Sequence, residues 1–251
     1  MDHAPPPPVD DAFERTVDAI LADSGLSANP YFTALEDGSF DRDDFVETQV
    51  QFYYAVVFFS RPMAALAAKI PSGRQRVEIL RNVWEEHGEG DAAKMHGTTF
   101  LEFLRRVGGL SIEDVETRGL WPELRAFNTT LIGCCTLDDW EIGAGCLGAI
   151  ERAFVGISAR IGRAVVARGW LTADELVHYD LHEALDVRHS ADFFDVIRPT
   201  WSDSKVGRYR IEQGLALGAC VFDQLYRGLW AARTRRSATP ARRPQPHVYN
   251  G

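Results

Sequence analysis

The sequence predicts an all-α protein in which long helices pack into a bundle. Three observations support this fold class. Apolar residues recur at helical spacing through most of the chain, no segment alternates apolar and polar residues as a half-buried strand does, and no internal repeat is present. The chain has 251 residues, 45% of them hydrophobic, which is enough for a sizeable core.

The predicted helices are bounded by residue types that start or stop helices. Asp41 suits an N-cap, and Thr172 with Glu175 forms a capping box. Plausible helix ends lie at Pro71, Gly108–Gly109 and Gly169. The predicted helices are at about 10–23, 41–69, 73–87, 91–107, 121–135, 139–168, 172–198 and 204–233.

The two ends of the chain have compositions that disfavour packing. The run Pro5–Pro8 cannot be helical, so residues 1–9 are predicted to be a disordered leader. Residues 234–251 are rich in Arg, Pro, Ser and Thr and are predicted to be a flexible basic tail, with a contact to a partner or an anionic surface as the alternative. The predicted helical domain therefore covers residues 10–233.

Charge and hydropathy exclude several classes of function. The formal net charge is -9, which argues against a nucleic-acid partner or an anionic membrane surface. The start of the chain lacks the regions of a signal peptide, and the longest apolar run, Tyr53–Phe59, is too short to span a bilayer. We expect a cytoplasmic protein. Its cysteines are expected to be buried thiols: Cys134, Cys135, Cys146 and Cys220.

The segment HYDLHEALDVRH contains the strongest candidate metal ligands. His182, Asp186 and His189 are spaced i, i+4 and i+7, so on a helix they lie within about 60° of arc. Imidazole and carboxylate groups together suit iron, manganese or zinc. His178 lies one turn upstream on nearly the same face, and for this residue a solvated helix face is the preferred interpretation.

A second acidic segment, EEHGEGDAAKMH, ends at His96. On an unbroken helix Glu89 would share a face with His96, because the two residues are seven apart. The glycines in Gly88–Gly90 are expected to kink or break the helix, which would let Glu86 swing in instead. A solvated acidic face is the alternative.

Two further carboxylates lie within apolar segments. Glu151 has apolar neighbours on its core side, so it is expected to pair with a base or to bind a metal. Glu47 and Gln51 are one turn apart on a helix dense in aromatic residues, most of which are expected to be core. Glu47 is either a ligand or a surface carboxylate.

The order of these elements resembles the haem-oxygenase-like di-iron oxidases, which share their fold with the TenA proteins and with the pyrroloquinoline-quinone synthase PqqC. Those oxidases carry a carboxylate on a first core helix, a Glu and then a His on the second, a Glu on a later helix, and then H-x3-D-x2-H. Here the last motif is formed by His182, Asp186 and His189. Glu151, 31 residues before His182, resembles the later Glu.

Other stretches resemble the N-oxygenating branch of this family. Glu86 and His96 are ten residues apart, as in that branch, whereas other members use a spacing of seven, which would select Glu89. The stretches QFYYAVVFFSRPMAAL and EEHG are also similar. Where many relatives have a Glu on the first core helix, this chain has Gln51, so either Glu47 takes the role or the first iron has one carboxylate fewer.

The resemblance implies an enzyme that binds two Fe(II) ions and uses O2 as co-substrate, with an external reductant from an unknown donor. The preferred reaction is oxygenation of an amine or guanidine-like nitrogen on a small molecule in natural-product biosynthesis. The alternatives are oxidative C–C cleavage of an amino or fatty acid and a metal-free TenA-like protein with a nucleophilic Cys. We also expect a homodimer. The implied ligands are Glu47, Glu86, His96, Glu151, His182, Asp186 and His189, followed by Glu89, Gln51 and His178.

Overall fold

The computed structural model of this protein describes residues 11–236, apart from the side chains of Asp11 and of residues 180–186. Residues 11–236 are mostly helical and contain no β-strand, which confirms the all-α class. The predicted leader and residues 237–251 of the predicted tail lie outside the described residues. The helices are α1 (Asp11–Asp23), α2 (Pro30–Asp37), α3 (Arg42–Lys69), α4 (Gly73–Glu86), α5 (His96–Gly108), α6 (Ile112–Glu116), α7 (Pro122–Thr136), α8 (Trp140–Ala167), α9 (His178–Asp203) and α10 (Lys205–Ala232).

Most predicted helix ends are confirmed. Asp41 caps α3 by accepting from the backbone N–H of Asp43 at 2.9 Å. The capping box of Thr172 and Glu175 is present, but it starts a short 3-10 turn rather than α9. The prediction was therefore wrong about the start of that helix, and also about its end, because α9 continues through Pro199.

Glycines let the central helix α8 lie close to its neighbours. A Cβ on Gly214 of α10 would come 2.2 Å from the backbone oxygen of Ile142, and one on Gly218 would come 2.3 Å from that of Cys146. On the α9 side, a Cβ on Gly148 would come 2.8 Å from the ring of Phe194. Glycines of both α8 and α10 therefore set the backbone separation of the three helices that form the middle of the bundle.

Helix α8 is also the most apolar of the long helices. Among the described residues it is the one helix long and apolar enough to cross a membrane, and 67% of the window that meets this criterion is buried inside the protein. This burial is typical of a core helix that is surrounded by other helices.

The cysteines are all free. Cys134, Cys135 and Cys146 are buried, as predicted, whereas Cys220 is exposed. The expectation of four buried thiols was wrong for Cys220 because this residue lies on the outward face of α10, next to the buried Ala219.

Candidate metal centre

Three helices each contribute one buried side chain to a compact cluster. Glu86 is the last residue of α4, Glu151 lies in the middle of α8, and His189 lies in α9. One carboxylate oxygen of each glutamate and one ring nitrogen of the histidine lie within 4.8 Å of one another. The three side chains come from distant parts of the chain, so tertiary packing alone assembles this cluster.

His96 extends the cluster from the start of α5. Its Nδ1 lies 2.8 Å from Oε2 of Glu86, and its ring is stacked 6.4 Å from the ring of His189 between centroids. The chain can bring His96 here because α4 breaks after Glu86, as the glycines predicted. Gly88 has φ 66°, and a Cβ on it would come 2.7 Å from the backbone nitrogen of Met95.

Burial and charge give the cluster unusual acid–base properties. Burial raises the pKa of Glu151, against the attraction of His189, whose Nδ1 lies 3.8 Å from Oε1 of Glu151. Burial on its own would lower the pKa of His189, but attraction to Glu151, Glu86 and Glu85 outweighs it and raises the pKa to about 10. In the metal-free protein His189 therefore carries positive charge among carboxylates at neutral pH.

The donor set fits a divalent metal ion. Among the side chains that the structure describes, Oε1 of Glu151 and Nδ1 of His189 are buried without a hydrogen-bond partner. Other buried polar atoms, such as Nε1 of Trp121, also lack a hydrogen-bond partner, but these two lie in one cluster, where a single ion could satisfy both. Carboxylate oxygens with imidazole nitrogens are the ligand types that iron and manganese take in proteins, so the cluster fits such an ion.

A second set of contacts fixes the far side of the His189 ring. Nε2 of His189 lies 2.9 Å from Oε2 of Glu85, which also accepts from Arg188 at 2.6 Å. The sequence did not single out Glu85, because adjacent residues on a helix point about 100° apart and Glu86 took the predicted role. Only the position of α9 reveals that both glutamates face His189.

Of the other predicted ligands on α9, the structure describes the side chain of His178 but not those of His182 and Asp186. His182 and Asp186 lie in α9, but their side chains are outside the described residues. His178 is fully buried, with Nδ1 at 3.0 Å from Oγ1 of Thr99 and its ring 4.7 Å from that of Phe100 between centroids. The expected solvated face is therefore wrong for His178, because α5 covers it.

Glu47 and Gln51 are not part of the cluster. Oε2 of Glu47 forms a salt bridge with Nε of Arg118 at 3.2 Å, beside a different, polar pocket. Five residues separate Glu47 from Phe52, the first residue of the same helix that lines the cavity, which is about 7.5 Å at the helical rise. The amide of Gln51 is bound to backbone on both sides, donating to the oxygen of Gly119 and accepting from the N–H of Trp121.

Glu89 is also placed away from the cluster. It is exposed and has a left-handed backbone, with φ 55°, between the two glycines that break the helix. Helix α4 ends three residues before Glu89, so the face that Glu89 would share with His96 on one unbroken helix does not exist. The structure brings Glu86 to His96 instead.

A narrow cavity of about 50 Å³ opens beside the cluster. Its polar lining consists of Glu86, His96, Glu151 and His178. The rest of the described wall is apolar and mostly aromatic: Phe52, Ala55, Val56, Phe59, Phe127, Ile150, Phe154 and Phe222. Helix α3 thus contributes an apolar wall where the resemblance implied a carboxylate.

The helical bundle and its buried carboxylate–histidine cluster define a class of protein that binds a metal in its core. Residues 46–220 match the model of the family described as iron-containing redox enzymes, and this chain belongs to that family. No cysteine is among the described residues that line the cavity.

One sequence relative and two solved structures are similar to this chain. A 4-aminobenzoate synthase from Nitrosomonas europaea is 24% identical over 189 residues, which are 71% of this chain and 75% of that protein. A solved domain of unknown function with a haem-oxygenase-like fold from Shewanella denitrificans has a TM-score of 0.75 at 14% identity, covering 92% of this chain and 97% of that chain. A TenA homologue from Pseudomonas syringae has a TM-score of 0.73 at 14% identity, covering 92% and 100%. The chain therefore has the haem-oxygenase-like fold.

Proposed function

We propose that this protein is an O2-dependent, non-haem di-iron oxygenase that oxygenates the nitrogen of a small metabolite. The observation that carries the proposal is the buried cluster of Glu86, Glu151 and His189 at the end of an apolar cavity. Membership of the iron-containing redox enzymes supports iron as the metal.

We propose that Glu86 and His96 hold one iron, that His189 holds the other together with His182 and Asp186, and that Glu151 is shared. Bound there, two ferrous ions would supply the electrons for the reduction of O2, and an external reductant would restore them. Three carboxylates and three imidazoles from the chain are more than one ion needs, which favours a pair of ions over a single ion.

The chain itself orients the metal ligands and keeps water away from them. Glu86, Glu151 and His189 are at least nine-tenths buried, so only a small part of each is open to bulk water. Phe52 and Phe154 stack with centroids 5.7 Å apart on one wall of the cavity. A rigid aromatic wall limits the poses of a bound substrate and excludes water from the reacting atoms.

The lining favours an uncharged substrate with an aromatic ring. Apart from the cluster and His178, none of the described lining residues carries a charge that could compensate a bound cation. An aromatic amine, which is neutral at pH 7, therefore fits better than a guanidinium ion. The name of the Nitrosomonas relative refers to an aromatic amine that also carries a carboxylate, so it supports the aromatic amine group but not the absence of charge.

The rival reactions make different demands on the same cavity. Oxidative C–C cleavage of a fatty acid would also use an apolar wall. The carboxylate of the fatty acid would need a positively charged or hydrogen-bonding partner, because the glutamates of the cluster would repel it. A TenA-like reaction with a nucleophilic Cys would need a thiol at the cavity, and Cys134, Cys135 and Cys146 are absent from the described lining.

Mass spectrometry of the products distinguishes these reactions. The full chain is loaded with Fe(II) without air and exposed to ¹⁸O2, with aromatic amines, aminoazoles, guanidines, amino acids and fatty acids as separate substrates. We expect labelled oxygen on the nitrogen of an aromatic amine. Glu47→Gln, a change of a buried glutamate outside the cluster, is the matched control and should keep this activity. Loss of CO2 without any oxygen-gain product would support C–C cleavage instead.

The homodimer expected from the sequence stays a prediction. Light scattering on the full chain measures its mass in solution, and the mass of a single chain would contradict the prediction.

A further inference from the structure

We propose that Glu85, held by Arg188, is a positioning residue that fixes the ring of His189 so that Nδ1 is its metal-binding atom. The inference rests on the metal centre proposed above and adds a specific role for a residue that binds no metal itself. It concerns which of the two ring nitrogens faces the ion.

The two nitrogens of His189 have different surroundings. Nε2 is 2.9 Å from Oε2 of Glu85, a hydrogen-bond distance. Nδ1 is 3.8 Å from Oε1 of Glu86 and 3.8 Å from Oε1 of Glu151, which is too long for a hydrogen bond. Nδ1 therefore faces the cluster and Nε2 faces away from it.

Glu85 requires a proton on Nε2. Oε2 of Glu85 accepts from the guanidinium of Arg188 at 2.6 Å, an ion pair that keeps the carboxylate ionised. An ionised carboxylate only accepts hydrogen bonds, so Nε2 must donate and the lone pair of the neutral ring is left on Nδ1. A carboxylate behind a metal-binding histidine fixes its tautomer and makes the ring a stronger donor.

Arg188 explains why Glu85 stays behind His189 rather than joining the cluster. Its Nη2 is 2.6 Å from Oε2 of Glu85, the same oxygen that accepts from His189. Glu85 is 8% exposed and Arg188 is on the surface, so the ion pair connects the buried ring to the edge of the protein. Two consecutive residues of α4, Glu85 and Glu86, thus face Arg188 and His189 of α9. Glu85 orients the His189 ring, whereas Glu86 is a proposed metal ligand.

NMR of the protein loaded with Zn(II), a diamagnetic probe, tests the assignment without turnover. The chain is labelled with ¹⁵N in its histidines, and long-range ¹H–¹⁵N spectra show which nitrogen of His189 carries the proton. The His189 signals are assigned from the spectrum of His189→Gln. We expect a proton on Nε2 and zinc on Nδ1.

Variants of Glu85 test its role. Glu85→Ala should weaken Zn(II) binding by about 10- to 100-fold and mix the two ring orientations. Glu85→Gln keeps an acceptor oxygen and should retain the Nε2–H form with smaller loss of affinity. Glu78→Gln, which removes a half-buried charge two turns before Glu85 on the same helix, is the control and should match the wild type.

The outcomes separate this inference from the proposed function. Zinc bound at Nε2 in the wild type, or a Glu85→Ala protein with unchanged affinity and ring orientation, would overturn the role of Glu85 and leave the metal centre intact. A wild type that binds none of Zn(II), Co(II) and Fe(II) would overturn the metal centre, and this inference with it.

Discussion

Glu86 and His96 lie on opposite sides of a helix break, and yet Oε2 of Glu86 is 2.8 Å from Nδ1 of His96. The break is made by Gly88 and Gly90, both with left-handed backbones at φ 66° and 88°. It turns the chain back so that the end of α4 and the start of α5 meet at the same point. Residues ten apart in sequence can therefore meet here only because the helix is interrupted.

This geometry predicts that Glu86, and not Glu89, is needed for metal binding. Glu86→Ala should lower the Fe(II) or Co(II) content to at most about half, because it removes a carboxylate that cannot be replaced by water in a buried site. Glu89→Gln should leave the metal content unchanged, because Glu89 is exposed. Metal analysis of both proteins after anaerobic loading decides the question. The opposite pattern would mean that the segment refolds around the metal.

The fold could be predicted from the sequence because the long helices have clear periodicity. The prediction was accurate for α3, α8 and α10, whose ends carry caps or glycines. It missed α2 and α6, which span 8 and 5 residues and are too short to show a pattern. It also began α9 too early, because a 3-10 turn uses the capping box first.

The site was less predictable because it depends on which faces meet. Glu151 could be proposed as a ligand from its apolar neighbours on the same helix alone. Glu47 looked equally good in sequence, since nothing local reveals that Arg118 pairs with it. Glu85 was missed for the converse reason, because its role depends on the position of His189 more than 100 residues later.

The central position of Glu151 and His189 predicts loss of metal when either is shortened. His189→Ala and Glu151→Ala should each abolish turnover and reduce iron content. Far-UV circular dichroism should change little, since α8 and α9 are fixed by extensive packing elsewhere. The measurement is the iron content of each variant together with the amount of product that the same sample forms. His189→Ala with full iron loading and activity would remove α9 from the site.

Metal affinity should rise with pH. The pKa of His189 is raised to about 10 in the metal-free protein, so a bound metal must displace a proton at neutral pH. Each displaced proton contributes about a tenfold gain in affinity per pH unit. Calorimetric titration with Co(II) in buffers of different ionisation enthalpy counts the protons released. A titration that releases none would contradict the assignment of Nδ1 of His189 as a ligand.

The raised pKa of His189 also predicts that the metal-free protein loses stability as pH rises. Because the pKa of folded His189 lies above that of an unfolded histidine, its charge stabilises the metal-free protein fully below about pH 6.5. That contribution is lost as pH rises toward about 10. Urea unfolding of the metal-free protein should show this loss, and His189→Gln should show a smaller one. Equal losses in both proteins would assign the effect to other groups.

The contact of α8 with α10 predicts strong sensitivity to small substitutions. Gly218→Ala should lower the free energy of unfolding by about 1–3 kcal/mol, because the added Cβ meets the backbone of Cys146 and the helices must separate. Gly156→Ala is the matched control, since no atom lies within 4 Å of its added Cβ. It should be neutral or stabilising by roughly 0.5–1 kcal/mol. Equal destabilisation by both changes would contradict close packing at Gly218.

The cavity wall predicts a substitution that affects turnover without affecting the metal. Ala55 is buried on α3 and lines the cavity, which has a volume of about 50 Å³. Ala55→Leu places three more carbons in this space, so the substrate should bind in a displaced pose or not at all. We expect full iron content and a kcat/KM lowered at least about tenfold, a loss of roughly 1.4 kcal/mol in transition-state stabilisation.

The exposed Ala64 of the same helix provides the control for this wall. Ala64→Leu adds the same atoms outside the cavity and should leave kcat/KM unchanged. Iron analysis and initial rates on both variants, with the amine that gives labelled product, complete the comparison. Equal rates in the two proteins would place the substrate away from α3. A loss of iron from Ala55→Leu would instead mean that the wall supports the ligands as well as the substrate, because a displaced helix moves the carboxylates that it packs against.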